Sequence, residues 1–160
     1  MKYSALILAV FTILAGPLTV AAQQDLEDDL KTTHRLLVEA AKTGNVAFLE
    51  SVIHPQALGF MRESQIVVDL TGGSRLREII PSLLVDMSRF LLTPYETAFR
   101  AFGNSGIICS TSAAVPQAPD PKTNKKGPAR YSRATWLYAR LDGRWRLVGW
   151  HTSDIPLKSK

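Results

Sequence analysis

The chain has 160 residues, 46% of them hydrophobic, and a single cysteine. That length fits one domain able to bury a real core, and Cys109 alone excludes an internal disulfide, so the fold must rest on packing. Nineteen Lys and Arg against 14 Asp and Glu give a formal charge of +5, too mild and too scattered for a nucleic-acid binder.

The first segment reads as a targeting signal. Lys2 opens it, the apolar run from Ala5 to Ala15 follows, and Gly16-Pro17 interrupts that run before Thr-Val-Ala-Ala. A membrane span needs about 20 apolar residues, and this stretch is shorter. Cleavage after Ala22 is expected, leaving residues 23–160 as an exported domain, secreted or periplasmic. No later run is long enough to span a membrane. No Asn-x-Ser/Thr sequon occurs at Asn45, Asn104 or Asn124.

Residues 25–42 predict a helix. Asp25, Glu27, Asp28 and Asp29 suit its first turn and Lys42 its last, as the helix dipole favours. Leu26, Leu30, Thr33, Leu37, Ala40 and Ala41 form its apolar stripe. Thr43-Gly44 ends it, and Asn45 caps a second helix over Val46 to Ile53, stopped by His54-Pro55. Short strands are expected over 57–61 and 65–70. A third helix is expected over 75–90, kinked at Pro81.

From Pro94 the period of the pattern changes to two. Tyr95 to Phe102 and Ile107 to Ala113 read as strands joined by Gly103-Asn104-Ser105-Gly106. Cys109 lies in the apolar context Gly-Ile-Ile-Cys-Ser and reads as a buried, inert thiol. Residues 114–130 are a Pro-rich basic loop, either a solvated connection or a polyanion contact.

Residues 131–153 hold two aromatic and apolar runs around Asp142-Gly143, a pair suited to the positive φ angles of a tight hairpin turn. A two-residue turn sets Tyr138 opposite Leu147, Trp136 opposite Gly149 and Ala134 opposite His151. Trp136, Tyr138, Trp145, Leu147 and His151 then share one face. Thr135, Leu137, Leu141, Val148 and Trp150, with Arg133, Arg144 and Arg146, share the other. A bulge would shift this register by one. Trp136 would cover the bare Gly149. His151 reads either as a structural histidine or as a ligand contact.

The stretch from Thr135 to Ser153, with Asp-Gly-Arg-Trp-Arg-Leu-Val and then His-x-Ser, resembles the C-terminal hairpin of the SnoaL-like and ketosteroid isomerase-like families of the nuclear transport factor 2-like superfamily. It is also similar to the association domain of calmodulin-dependent kinase. Lys42-Thr-Gly-Asn-Val-Ala-Phe-Leu-Glu-Ser-Val-Ile-His-Pro resembles the entry to that fold. The resemblance implies an α+β cystatin-like cone, a curved antiparallel sheet wrapped on N-terminal helices and open to a pocket. Catalytic members use a carboxylate base in that pocket. Here Asp69 is the one acidic residue in the middle apolar strands, and it equally suits a strand-end surface position.

The expected function is binding of a small apolar or aromatic molecule by a pocket lined with Trp136, Tyr138, Trp145 and His151. The alternatives are an isomerase, cyclase or dehydratase with Asp69 or His151 as proton carrier, and a non-catalytic dimerisation module. A homodimer through the arginine-bearing face is expected. No cofactor motif appears, and His34, His54 and His151 lack metal-ligand spacing.

Overall fold

Helical periodicity gives way to strand alternation at Ile53, and the described residues divide accordingly into two helices and six strands. The computed structural model describes residues 4–60, 67–70, 78, 90–116, 119 and 122–155. Helix α1 spans Ser4–Thr43 and α2 spans Val46–Val52. The strands are β1 (Ile53–Phe60), β2 (Val67–Asp69), β3 (Phe90–Phe102), β4 (Ser105–Pro116), β5 (Arg130–Leu141) and β6 (Arg144–Ile155). The helix expected over 75–90 lies outside the described residues but for Glu78 and Phe90.

The first helix was expected to begin at Asp25. It is instead continuous from Ser4, so the four acidic residues lie within it rather than in its first turn. The apolar stripe behaves as its spacing requires. Leu30, Leu37 and Ala40 are buried, with Leu26 and Ala41 partly so. Gly44 turns the chain with φ 71°, a conformation glycine adopts without strain. Asn45 caps α2, its Oδ1 accepting from the Phe48 N–H at 3.1 Å. α2 ends at Val52, one residue short of the expected Ile53 and just before His54-Pro55, and β1 begins directly at Ile53.

The sheet runs in the order β2-β1-β6-β5-β4-β3. It is mixed, curved and unclosed, which corrects the all-antiparallel expectation. Strands β3 to β6 form an antiparallel meander, but β1 lies parallel to β6. Parallel partners need a long crossover, and here it is the chain between Phe60 and Arg144. The helices lie on the concave face. Leu30 of α1 sits so close to Gly106 of β4 that a Cβ there would meet its Cδ2 at 2.8 Å.

The Asp142-Gly143 turn has two residues with φ 50° and 74°, the two positive values that a type I′ hairpin requires. Near the turn the register is as expected: Leu141 pairs with Arg144 and Tyr138 with Leu147. The ladder then shifts by one between Leu137 and Tyr138. Leu137 pairs with Gly149, Trp136 with Trp150 and Thr135 with His151. Val148 is the extra residue on β6. The expected pairs Trp136 with Gly149 and Ala134 with His151 are therefore corrected.

Trp150 consequently turns to the concave side, and it covers Gly59 of β1 rather than any residue of β5. A Cβ at Gly59 would lie 2.2 Å from two atoms of the Trp150 ring. The indole is flat and cannot bend aside. Gly59→Ala is expected to destabilise the protein by about 1–3 kcal/mol through overpacking. Urea unfolding would show it, and Gly103→Ala, where a Cβ meets nothing within 4 Å but φ is +59°, separates backbone strain from crowding.

Candidate functional site

The concave wall is built by alternate residues of three strands. Gly106 pairs with Tyr138 and Ile108 with Trp136 across β4 and β5. Tyr138 pairs with Leu147 and Trp136 with Trp150 across β5 and β6. Ile108, Tyr138, Trp145 and Leu147 are buried, and Phe99, Trp136 and Trp150 pack against them.

Into this aromatic wall α1 delivers His34. It lies four residues after Leu30 and three before Leu37, so helical spacing places it on the buried stripe. Its Nδ1 is 2.9 Å from the Tyr138 hydroxyl. Its ring makes edge contacts with Phe99, Trp136 and Tyr138, at centroid distances of 6.2, 5.4 and 6.0 Å. Lys31, one turn before, holds Asp28 at 2.7 Å and reaches to 5.9 Å from the Phe99 ring centre.

Burial sets the charge state of this pair. It holds the His34 imidazole down to about 4, so the ring is neutral at pH 7. It also pushes the Tyr138 phenol well above its ordinary value, so the hydroxyl keeps its proton. Two neutral groups then share one hydrogen bond, and each can accept or donate one more. Beside them the indole N–H groups of Trp136 and Trp145 are buried and find no acceptor among the described residues. Buried donors are rarely left unpaired, because each costs about 1–3 kcal/mol.

Of the four residues expected to share a cavity, three lie on this wall. Trp145 sits in the core at 2% exposure, with Tyr138 and Trp136 beside it on the same face. His151 does not join them. The shift at Val148 turns it to the outer face, where it is exposed and meets the Phe60 ring edge-on at 5.8 Å. That corrects its placement with Tyr138. Asp69 pairs with Leu58 in β2 and points, like that exposed leucine, away from the concave wall. Cys109 is exposed on the outer face, not buried as its neighbours suggested. Gly106 and Ile108 take the inward positions of β4, and alternation leaves Cys109 outside.

His34 is the residue that a reading by metal-ligand spacing overlooks. Its signal was its place on the leucine stripe, where a polar side chain must find a partner.

Two outcomes follow from this geometry. His34 binds a proton near pH 6.5 when unfolded but only near pH 4 when folded. Its contribution is therefore complete above pH 6.5 and is lost as pH falls toward 4. The cost reaches at most about 3 kcal/mol. Thermal melts from pH 7 to 4 should fall more steeply for the natural chain than for His34→Gln, which removes this titration. Trp145→Ala should cost about 3–5 kcal/mol. Tyr138→Phe should cost only about 1 kcal/mol, the net worth of one hydrogen bond. Equal losses in chemical denaturation would contradict the assignment of Trp145 to the core and of Tyr138 to the polar pair.

Comparison with known proteins agrees with this architecture. The model of the SnoaL-like domain matches residues 30–158. A nuclear transport factor 2-like protein of unknown function from Pseudomonas putida KT2440 superposes with TM-score 0.68 at 13% identity, covering 85% of this chain and 91% of its own. The CaMKII hub of S. rosetta gives 0.65 at 14% identity, covering 81% and 96%. A proposed ketosteroid isomerase from Shewanella frigidimarina gives 0.64 at 18% identity, covering 76% and 92%. Comparison with curated proteins gives no match. With its matched span taking in the cap of α2, the concave wall and the Asp-Gly hairpin, the chain belongs to the SnoaL-like domain family.

Proposed function

We propose that this protein is an exported binder of a small, largely apolar molecule that carries a hydrogen-bond acceptor. The molecule lies on the concave side, between α1 and the wall formed by Trp136 and Tyr138. The observation that carries this reading is the neutral His34–Tyr138 pair standing beside the orphan Trp136 N–H. A carbonyl or ether oxygen would satisfy that N–H, and the aromatic surround would hold an apolar body. A neutral, buried pair gives an anion no countercharge, so a charged ligand is disfavoured there.

A bicyclic ketone, 1-tetralone, tests the reading through quenching of tryptophan fluorescence. Trp136→Phe keeps the ring surface and removes the donor, and should weaken binding about tenfold, the worth of one hydrogen bond. Undiminished binding would remove the donor from the site. The same complex in heavy water separates binding from catalysis. A binder leaves the α-protons of the ketone to exchange at their solution rate, whereas an isomerase or dehydratase with His34 as base accelerates their loss.

Export belongs to the same reading. Cleavage after Ala22 leaves Gln23 near the new terminus, where its side chain donates to the Ala101 carbonyl of β3 and ties the helix start to the sheet. Asp25, Glu27, Asp28 and Asp29 would then fall within the opening turns of the shortened helix, where the dipole favours them. N-terminal sequencing of the exported form should begin at Gln23, and a mature chain beginning at Met1 would refute it.

A second reading concerns assembly, and a specific feature favours it. Leu58, Phe60, Val67 and Leu137 are 50, 43, 46 and 46% exposed. They adjoin on the outer face, Leu58 flanking Gly149 opposite Leu137, and Phe60 beside Val67. An exposed apolar cluster rimmed by arginines suits pairing with a second copy. Leu137→Glu should shift a dimer to monomer in light scattering without loss of the melting transition.

A further inference from the structure

The outer face carries a second feature, on the β3 side of the apolar cluster. A hollow of about 540 Å³ opens across β3, β4, β5 and β6. Its floor is made of small side chains, with Ala98, Cys109 and Thr135 in one cross-strand row. The adjoining row runs Glu96, Thr111, Arg133, Ser153. A register shift between Pro94 and Glu96 bends β3 at the rim where Glu96 stands.

Opposite charges face each other across this row. Glu96 and Arg133 stand on strands two apart, about 10 Å between backbones at ordinary strand spacing. Among the described residues no ion pair joins them, and Glu96 has no hydrogen-bond partner. Arg133 is oriented, since its Nε donates to the Ser153 hydroxyl at 3.2 Å. That bond uses one donor of the guanidinium fork and leaves its terminal amino groups for a bidentate acceptor. Midway lies Thr111, whose hydroxyl is buried below the surface of the hollow and has no partner among the described residues. An oriented cation and an unpaired carboxylate thus share one row of the hollow. Nothing in the concave site of α1 and Tyr138 uses them.

We propose that this hollow binds a small zwitterion of the amino-acid type, its carboxylate on Arg133 and its ammonium on Glu96. A plain anion would leave Glu96 as an opposing charge, and a plain amine would leave Arg133 so. A molecule bearing both ends satisfies each wall.

Calorimetric titration of the full chain with β-alanine, propionate and propylamine tests this. β-Alanine should bind at least about tenfold more tightly than either single-charge analogue. Arg133→Gln and Glu96→Gln should each reduce β-alanine to the level of the analogues. Both side chains are exposed, so the melting temperature should stay unchanged, and each variant tests the site from the opposite wall. Equal affinity for propionate and β-alanine, or a Glu96→Gln variant that binds β-alanine unchanged, would overturn the proposal in favour of a simple anion site. Absence of heat and of amide shifts at Thr111 and Thr135 up to about 10 mM β-alanine, a Kd range equivalent to only a few kcal/mol, would overturn it outright.

Discussion

One extra residue in β6 decides which side chains meet the helices. Side chains alternate strictly along a strand, so a single inserted residue exchanges the two faces beyond it. Before Val148, Trp145 and Leu147 point inward. After it, Trp150 points inward and His151 outward. Without the insertion Trp150 would face solvent and Gly59 would lie bare beneath the sheet. With it, the indole fills the space above Gly59, and the parallel pairing of β1 with β6 closes over a packed surface. The packing of that edge and the outward position of His151 share this cause.

The inward face is almost wholly apolar, and the consequence falls on its few polar atoms. Tyr138 and His34 come from opposite layers, 104 residues apart in the chain, and satisfy one another. Neither could be buried alone at tolerable cost. The pair also fixes how α1 sits, because a helix turned by one residue would withdraw His34 from Tyr138 while lifting Leu30 from Gly106. Packing and hydrogen bonding therefore select the same helix rotation. The N–H groups of Trp136 and Trp145 are inward atoms that find no partner among the described residues.

Local chemistry was legible in the sequence wherever one residue type admits a single geometry. Asp142-Gly143 implied its hairpin, Asn45 its cap, and the Leu26 to Ala41 spacing its buried stripe. The failures have a common physical origin. The insertion at Val148 leaves no mark in composition, since valine suits an ordinary strand position equally well. The pairing of β1 with β6 joins segments some ninety residues apart, and no local pattern records it. Cys109 was misplaced because Gly106, Ile107 and Ile108 make an apolar run in which the inward side cannot be read. Once β4 is paired to β5 the alternation settles it, with Ile108 inside and Cys109 out.

The same fold serves a hub, a proposed isomerase and a protein of unknown function among its structural neighbours, so the frame itself carries no chemistry. What distinguishes this chain is how its polar groups divide between two faces. The concave side holds neutral partners within an aromatic wall, where burial suppresses charge on His34 and Tyr138 alike. The outer side holds Glu96 and Arg133 beside open solvent, where water stabilises full charges. A proton transfer on the concave side would place an imidazolium in a setting that burial already disfavours. A carboxylate close by would be needed to offset that, and Asp69, the acid of the middle strands, lies on the other face. On the proposed reading, the arrangement around His34 holds a neutral molecule and does not move its protons.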